Sequence, residues 1–164
     1  MIVKGINFDD FVNYKKPSMF VIFPNCSFKC DKECGRAVCQ NSALALSPIY
    51  TVPVESIIER YLQNPITKAL VCGGLEPFDS WEDLQELVKH FRIATQHDIV
   101  IYTGYAEEEI KDKIEWLKAY GPLIIKFGRY VPNDNSRFEE ILGVDLASSN
   151  QYAKEFKNEN HSKS

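Results

Sequence analysis

Three of the five cysteines, Cys26, Cys30 and Cys34, fall within nine residues in the stretch Pro24-Asn25-Cys26-Ser27-Phe28-Lys29-Cys30-Asp31-Lys32-Glu33-Cys34. Thiolates this close in sequence can converge on one metal centre. They follow the apolar run Met19-Phe20-Val21-Ile22-Phe23, and the C-terminal ends of strands are where open α/β sheets place their chemistry. A closed structural site takes four ligands. A trio suits an iron–sulfur cluster that leaves one iron open to another ligand. The alternative is a zinc site completed by Cys39. Its C-x3-C-x3-C-x4-C spacing differs from the two-residue knuckles of zinc modules, and no His lies nearby. Otherwise Cys39 reads as a spare thiol and Cys72 as a core residue.

Such a centre needs a frame to hold it. Met19–Phe23 is short, apolar and stopped by Pro24, the pattern of a buried strand. The pattern returns at Ala69–Cys72, Ile99–Tyr102 and Leu123–Phe127. Between these runs the apolar spacing is helical. Val54, Ile57, Ile58, Tyr61 and Leu62 follow Pro53, a residue suited to a helix start. Leu84, Leu87, Val88 and Phe91 follow a cap at Asp79 or Ser80. Ile110, Ile114 and Leu117 mark a helix from about Glu107 to Ala119.

Alternating strands and helices imply parallel strands with right-handed crossovers. About four such units fall short of the eight in a closed barrel, so the expected class is α/β, an open or partial βα barrel. The strand ends then share one rim. That rim would gather the cysteines, Gly73-Gly74-Leu75-Glu76-Pro77, Thr103-Gly104-Tyr105 and Gly128-Arg129-Tyr130. Residues 1–17 read as one short strand with a loop, and the chain after Tyr130 as irregular. One domain over residues 1–155 and a frayed polar tail over 156–164 complete the expectation.

Taken singly, these residues have plainer readings. Gly73-Gly74 is an ordinary turn and Glu76 a solvated side chain. Tyr102 and Tyr105 are packing residues, His90 and His97 surface residues, and Arg129 the partner of a carboxylate. The net charge of −4 argues against a general nucleic-acid binder. No apolar run approaches the roughly 20 residues that span a bilayer. The N-terminus lacks the pattern of a secretory signal, which leads us to expect a cytoplasmic protein with reduced cysteines.

Four landmarks in order carry a resemblance: the cysteines, Gly73-Gly74-Leu75-Glu76-Pro77, Tyr102-Thr103-Gly104-Tyr105 and Ser148-Ser149-Asn150-Gln151. The chain resembles the radical S-adenosylmethionine (SAM) superfamily over roughly residues 1–155. Within it, the chain is most similar to the activases of anaerobic ribonucleoside-triphosphate reductase. The resemblance implies a radical-SAM-like fold and a [4Fe–4S] cluster on Cys26, Cys30 and Cys34. The open iron would bind SAM, whose reductive cleavage gives methionine and a 5′-deoxyadenosyl radical. That radical would take hydrogen from a glycine of the reductase's catalytic subunit, with flavodoxin or ferredoxin as electron donor.

By the same resemblance Gly73 and Gly74 would admit the methionine part of SAM, and Glu76 would accept from its ammonium. Thr103, Asn150 and the Arg129 charge would border the pocket. The chain departs from the superfamily in three places. The spacing is C-x3-C-x3-C where C-x3-C-x2-C is common; Glu33 stands where an aromatic residue usually precedes the third cysteine, leaving Phe28 as a substitute; and Gly-Gly-Glu becomes Gly-Gly-Leu-Glu. Other readings are an activase of a different glycyl-radical enzyme, a radical SAM reaction on a small molecule, and a non-catalytic, zinc-stabilised interaction module.

Overall fold

In chain order the elements are β1 (Ile2–Val3), β2 (Gly5–Asp10), β3 (Ser18–Phe23), α1 (Lys29–Cys34), α2 (Ser42–Ala45), β4 (Tyr50–Thr51) and α3 (Val54–Gln63). They continue with β5 (Ala69–Gly74), α4 (Trp81–Ala94), β6 (Asp98–Tyr102), α5 (Lys111–Lys118), β7 (Leu123–Phe127), β8 (Arg137–Glu139), β9 (Val144–Leu146) and β10 (Tyr152–Phe156). The computed structural model describes residues 1–27, 29–36 and 42–158, and only the backbone of Lys29, Cys30 and Ser42. Phe28, Cys39 and residues 159–164 of the expected tail lie outside the described residues.

The central sheet runs β10-β7-β6-β5-β3-β2. Its inner strands β3, β5, β6 and β7 pair in parallel, and β2 and β10 close the two edges antiparallel. The expected α/β class forms, with a mostly parallel central sheet. The sheet does not close on itself, because β2 and β10 are both edges.

The two-residue period of a strand decides which side chains meet the helices. Met19, Val21 and Phe23 on β3, Leu70 and Cys72 on β5, Ile99 and Ile101 on β6, and Leu123, Ile125 and Phe127 on β7 join one core. That core takes in the apolar faces of α3, α4 and α5 together, so all three helices cover the same face. The intervening residues Ala69, Val71, Val100 and Ile124 build a second cluster with Tyr14, Leu142, Leu146 and Ala153. Burial on both faces explains why these strands read as nearly continuous apolar runs.

Two regions differ from the sequence expectation. The segment after Tyr130 holds a hairpin, β8 paired with β9, and the edge strand β10. Leu142 and Leu146 cover the face opposite the helices, which gives this segment its reason to order. Three-residue strands are too short for an alternation to be read. At the N-terminus, β1 pairs with β4 while β2 pairs with β3, giving two strands where one was expected. The helix expected from Glu107 opens with a 3₁₀ turn over Glu107–Ile110. No helix among the described residues is long and apolar enough to cross a membrane.

Candidate metal centre and ligand cleft

Cys26 follows β3 by three residues, and the backbone on either side of it is pinned to the turn after β5. The Asn25 carbonyl accepts from Glu76 N at 2.7 Å. Asn25 Nδ2 donates to Ser80 Oγ at 3.0 Å, and Ser27 N donates to Asp79 Oδ2 at 2.8 Å. The Tyr105 hydroxyl donates to the other Asp79 oxygen. Burial, with the Asp79 hydrogen bond added, pushes that phenol up to about 12. Asp79 therefore ties the cysteine stretch to the rim of β6. Asp79→Ala is expected to cost about 1–2 kcal/mol in urea unfolding and to speed amide exchange at Ser27, since a part-buried donor loses its acceptor.

The other two cysteines lie on α1, where residues four apart share a face. Cys30 and Cys34 are one helical turn apart, so the x3 spacing between them suits a helix as well as a loop. Cys26 is part-exposed, Cys34 is exposed, and both are thiols. No group of three or more His, Cys, Asp and Glu side chains that could hold a metal is found among the described residues. That set does not include the side chain of Cys30.

Cys26 lines a cleft of about 410 Å³ at the C-terminal ends of the parallel strands. Gly74, Glu76, Thr103, Gly104 and Lys126 line the same cleft. Glu76 is buried, against the plain reading of a solvated side chain. Its Oε1 accepts from Phe78 N at 3.1 Å and Thr103 Oγ1 at 2.8 Å, and its Oε2 from Gly104 N at 2.8 Å. Burial raises its carboxyl to about 7, against the pull of those three donors. Thr103 serves Glu76 directly and also accepts from Tyr105 N at 3.0 Å.

The two glycines make room for neighbours in the sheet. A Cβ on Gly73 would sit 2.8 Å from the Phe20 ring. Gly74 has φ +87°, and a Cβ there would meet Ile22 at 2.4 Å. Gly74 lines the cleft, while the space over Gly73 is taken by Phe20.

Lys126 was not singled out by the sequence reading. It is 8% exposed, its Nζ lies 3.3 Å from the Gly128 carbonyl, and it borders the cleft beside Tyr102. The signal was present: a lone cation in the apolar run Leu123-Ile124-Ile125-Lys126-Phe127. Tyr102 packs as expected, and its hydroxyl donates to the Asn13 carbonyl at 2.6 Å.

Asn150 is exposed and its amide is engaged within the rim. Nδ2 donates to the Arg129 carbonyl at 2.8 Å, and Oδ1 accepts from Ser148 Oγ at 2.6 Å. Gln151 Nε2 donates to the Gly128 carbonyl at 3.3 Å. The Ser-Ser-Asn-Gln stretch thus fastens the loop after β7. Arg129 pairs with Glu33 and Glu109, the carboxylate partnership of its plain reading. Cys72 is fully buried in the helix-side core, and burial pushes its thiol up. His97 meets the Tyr61 hydroxyl at 2.7 Å, and His90 lies by Glu55 and Glu86, all away from the cleft lining.

A family model described as a 4Fe-4S single cluster domain matches residues 17–152. The chain belongs to this family. The match spans the cysteine stretch and the strands whose ends form the cleft, and membership of the 4Fe-4S single cluster domain family favours the iron–sulfur reading of the trio over zinc. The residue types suit it: Cys26 opens on the cleft, and the Cys30 and Cys34 positions lie one turn apart along the backbone of α1. No curated protein and no solved structure matches the chain.

Proposed function

We propose that this 4Fe-4S single cluster domain protein is a radical SAM activase that generates a glycyl radical on anaerobic ribonucleoside-triphosphate reductase. Cys26, Cys30 and Cys34 would hold the [4Fe–4S] cluster. When bound, that cluster supplies the single electron that splits SAM into methionine and a 5′-deoxyadenosyl radical. The radical then takes a hydrogen atom from a glycine of the catalytic subunit, leaving 5′-deoxyadenosine. The electron would come from flavodoxin or ferredoxin.

One observation carries the reading: the cleft that opens on Cys26 is lined by a buried carboxylate and a buried ammonium, Glu76 and Lys126. Opposite charges in one cavity suit a zwitterionic amino-acid group such as the methionine end of SAM. Thr103 and the amides of Gly104 and Phe78 aim the Glu76 carboxylate. Held by these donors, the ionised carboxylate can accept from an ammonium. Asp79 and Tyr105 keep the Cys26 end of the metal-binding stretch against the cleft.

The test is anaerobic reconstitution with iron and sulfide, then reduction in the presence of SAM and the reductase. The reading expects four irons per chain, 5′-deoxyadenosine as product, and a glycyl radical signal on the partner. Four irons with 5′-deoxyadenosine but no radical on the reductase would keep SAM cleavage and overturn the partner. Zinc retained in place of iron would overturn the enzyme.

A further inference from the structure

The cysteine stretch is fastened near Cys26 by Asn25 and Ser27, and a separate contact holds its far end. Arg129, two residues past β7, places Nε 3.2 Å from Glu33 Oε1. Glu33 immediately precedes Cys34. The Arg129 Nη2 donates to Glu109 Oε1 and Oε2 at 2.8 and 3.0 Å. Both supports of this guanidinium are themselves fixed. The Arg129 carbonyl accepts from Asn150 Nδ2, and Glu109 Oε2 accepts from Ala106 N at 2.8 Å.

Four physical points bear on this contact. α1 has six residues, well below the length at which a helix holds itself in water, so it needs contacts to the body. Glu33 sits in its last turn, where a carboxylate opposes the helix dipole and a nearby cation relieves it. The Arg129 side chain is 16% exposed and that of Glu33 59%, so solvent screens the pair from the Glu33 side only. A guanidinium can serve two carboxylates through separate edges of one rigid plane, whereas an ammonium is a point charge on a flexible stem.

We propose that Arg129 is a positioning residue for the metal centre: it clamps α1 to the rim through Glu33 and so holds the Cys34 end of the thiolate trio in place. This rests on the cluster reading above. Its role is mechanical and electrostatic, and it is distinct from contact with SAM.

The test compares the full-length chain with Arg129→Gln, Glu33→Gln, the double variant and Arg129→Lys. In the metal-free protein, amide exchange over residues 30–34 should rise roughly three- to fivefold in each single Gln variant, the scale of a partly shielded ion pair. The double variant should be no faster than the faster single one, because the two residues act through one contact. In reconstituted protein, loss of iron to a chelator should accelerate by a similar factor, and Arg129→Lys should fall between. Unchanged exchange and iron loss would overturn the clamp, as would effects of the two substitutions that multiply. Exchange that rises in the Gln variants while the wild-type chain takes up no cluster would support a clamp on α1 and overturn the cluster reading.

Discussion

Cys30→Ala is expected to abolish cluster binding and SAM cleavage while leaving the metal-free fold in place. Three thiolates leave one iron open for SAM; two leave the cluster short of a protein ligand. Loss of a mere supporting hydrogen bond at a metal site costs roughly 10–100-fold in affinity or activity, and loss of a ligand should cost more. The fold should survive because both clusters of buried apolar side chains are built from other elements. The unfolding free energy of the metal-free variant should stay within about 0.5 kcal/mol of wild type. Iron and sulfide content, 5′-deoxyadenosine release and urea unfolding measure the three parts. SAM cleavage retained by the variant would remove Cys30 from the ligand set.

Glu76→Gln is expected to weaken SAM binding by about 10–100-fold, the value of a hydrogen bond to a charged group. Gln keeps the shape and one carbonyl oxygen for Phe78 N and Thr103 Oγ1. It turns an amide donor toward either Gly104 N or that pair, so at least one donor loses its acceptor.

The pH dependence separates charge from shape. Burial raises the Glu76 carboxyl from its ordinary 4.5 to about 7. The folded chain therefore holds this proton more tightly than the unfolded chain. The stability it contributes is fully present below about pH 4.5 and lost as pH rises through about 7. At about 1.4 kcal/mol per unit, the loss is on the order of 3 kcal/mol. In metal-free protein, wild-type stability should fall relative to Glu76→Gln between pH 5 and 8.

Ligand binding runs the other way. An ammonium favours the ionised carboxylate, so SAM affinity should rise with pH through about 7 in wild type and lose that dependence in Glu76→Gln. Equal SAM affinities and parallel pH profiles would remove Glu76 from the binding site.

Much of this frame was readable beforehand, for reasons tied to particular residues. Met19–Phe23, Ala69–Cys72, Ile99–Tyr102 and Leu123–Phe127 stand out because each is covered on both faces and so carries almost no polar residue. Their parallel order puts the residues after each on one side, which is why Cys26, Gly74, Glu76 and Thr103 could be placed together in advance. What escaped was contact between distant segments. Nothing local marks Glu76 as buried: it is held by Thr103 and Gly104, just past the end of β6. The Glu33–Arg129 pair joins α1 to the far end of β7. β10 is ordered by pairing with β7, and the β8–β9 hairpin by packing Leu142 and Leu146 on the sheet; their own pattern is too short or too mixed to announce them.

The most direct test of the central claim is electron paramagnetic resonance on anaerobically reconstituted, dithionite-reduced protein, recorded with and without SAM. A [4Fe–4S]⁺ signal that changes on adding SAM is the predicted result, because the open iron then binds SAM. A reduced-cluster signal that SAM leaves unchanged would contradict the account, and so would a protein that holds zinc and gives no iron signal.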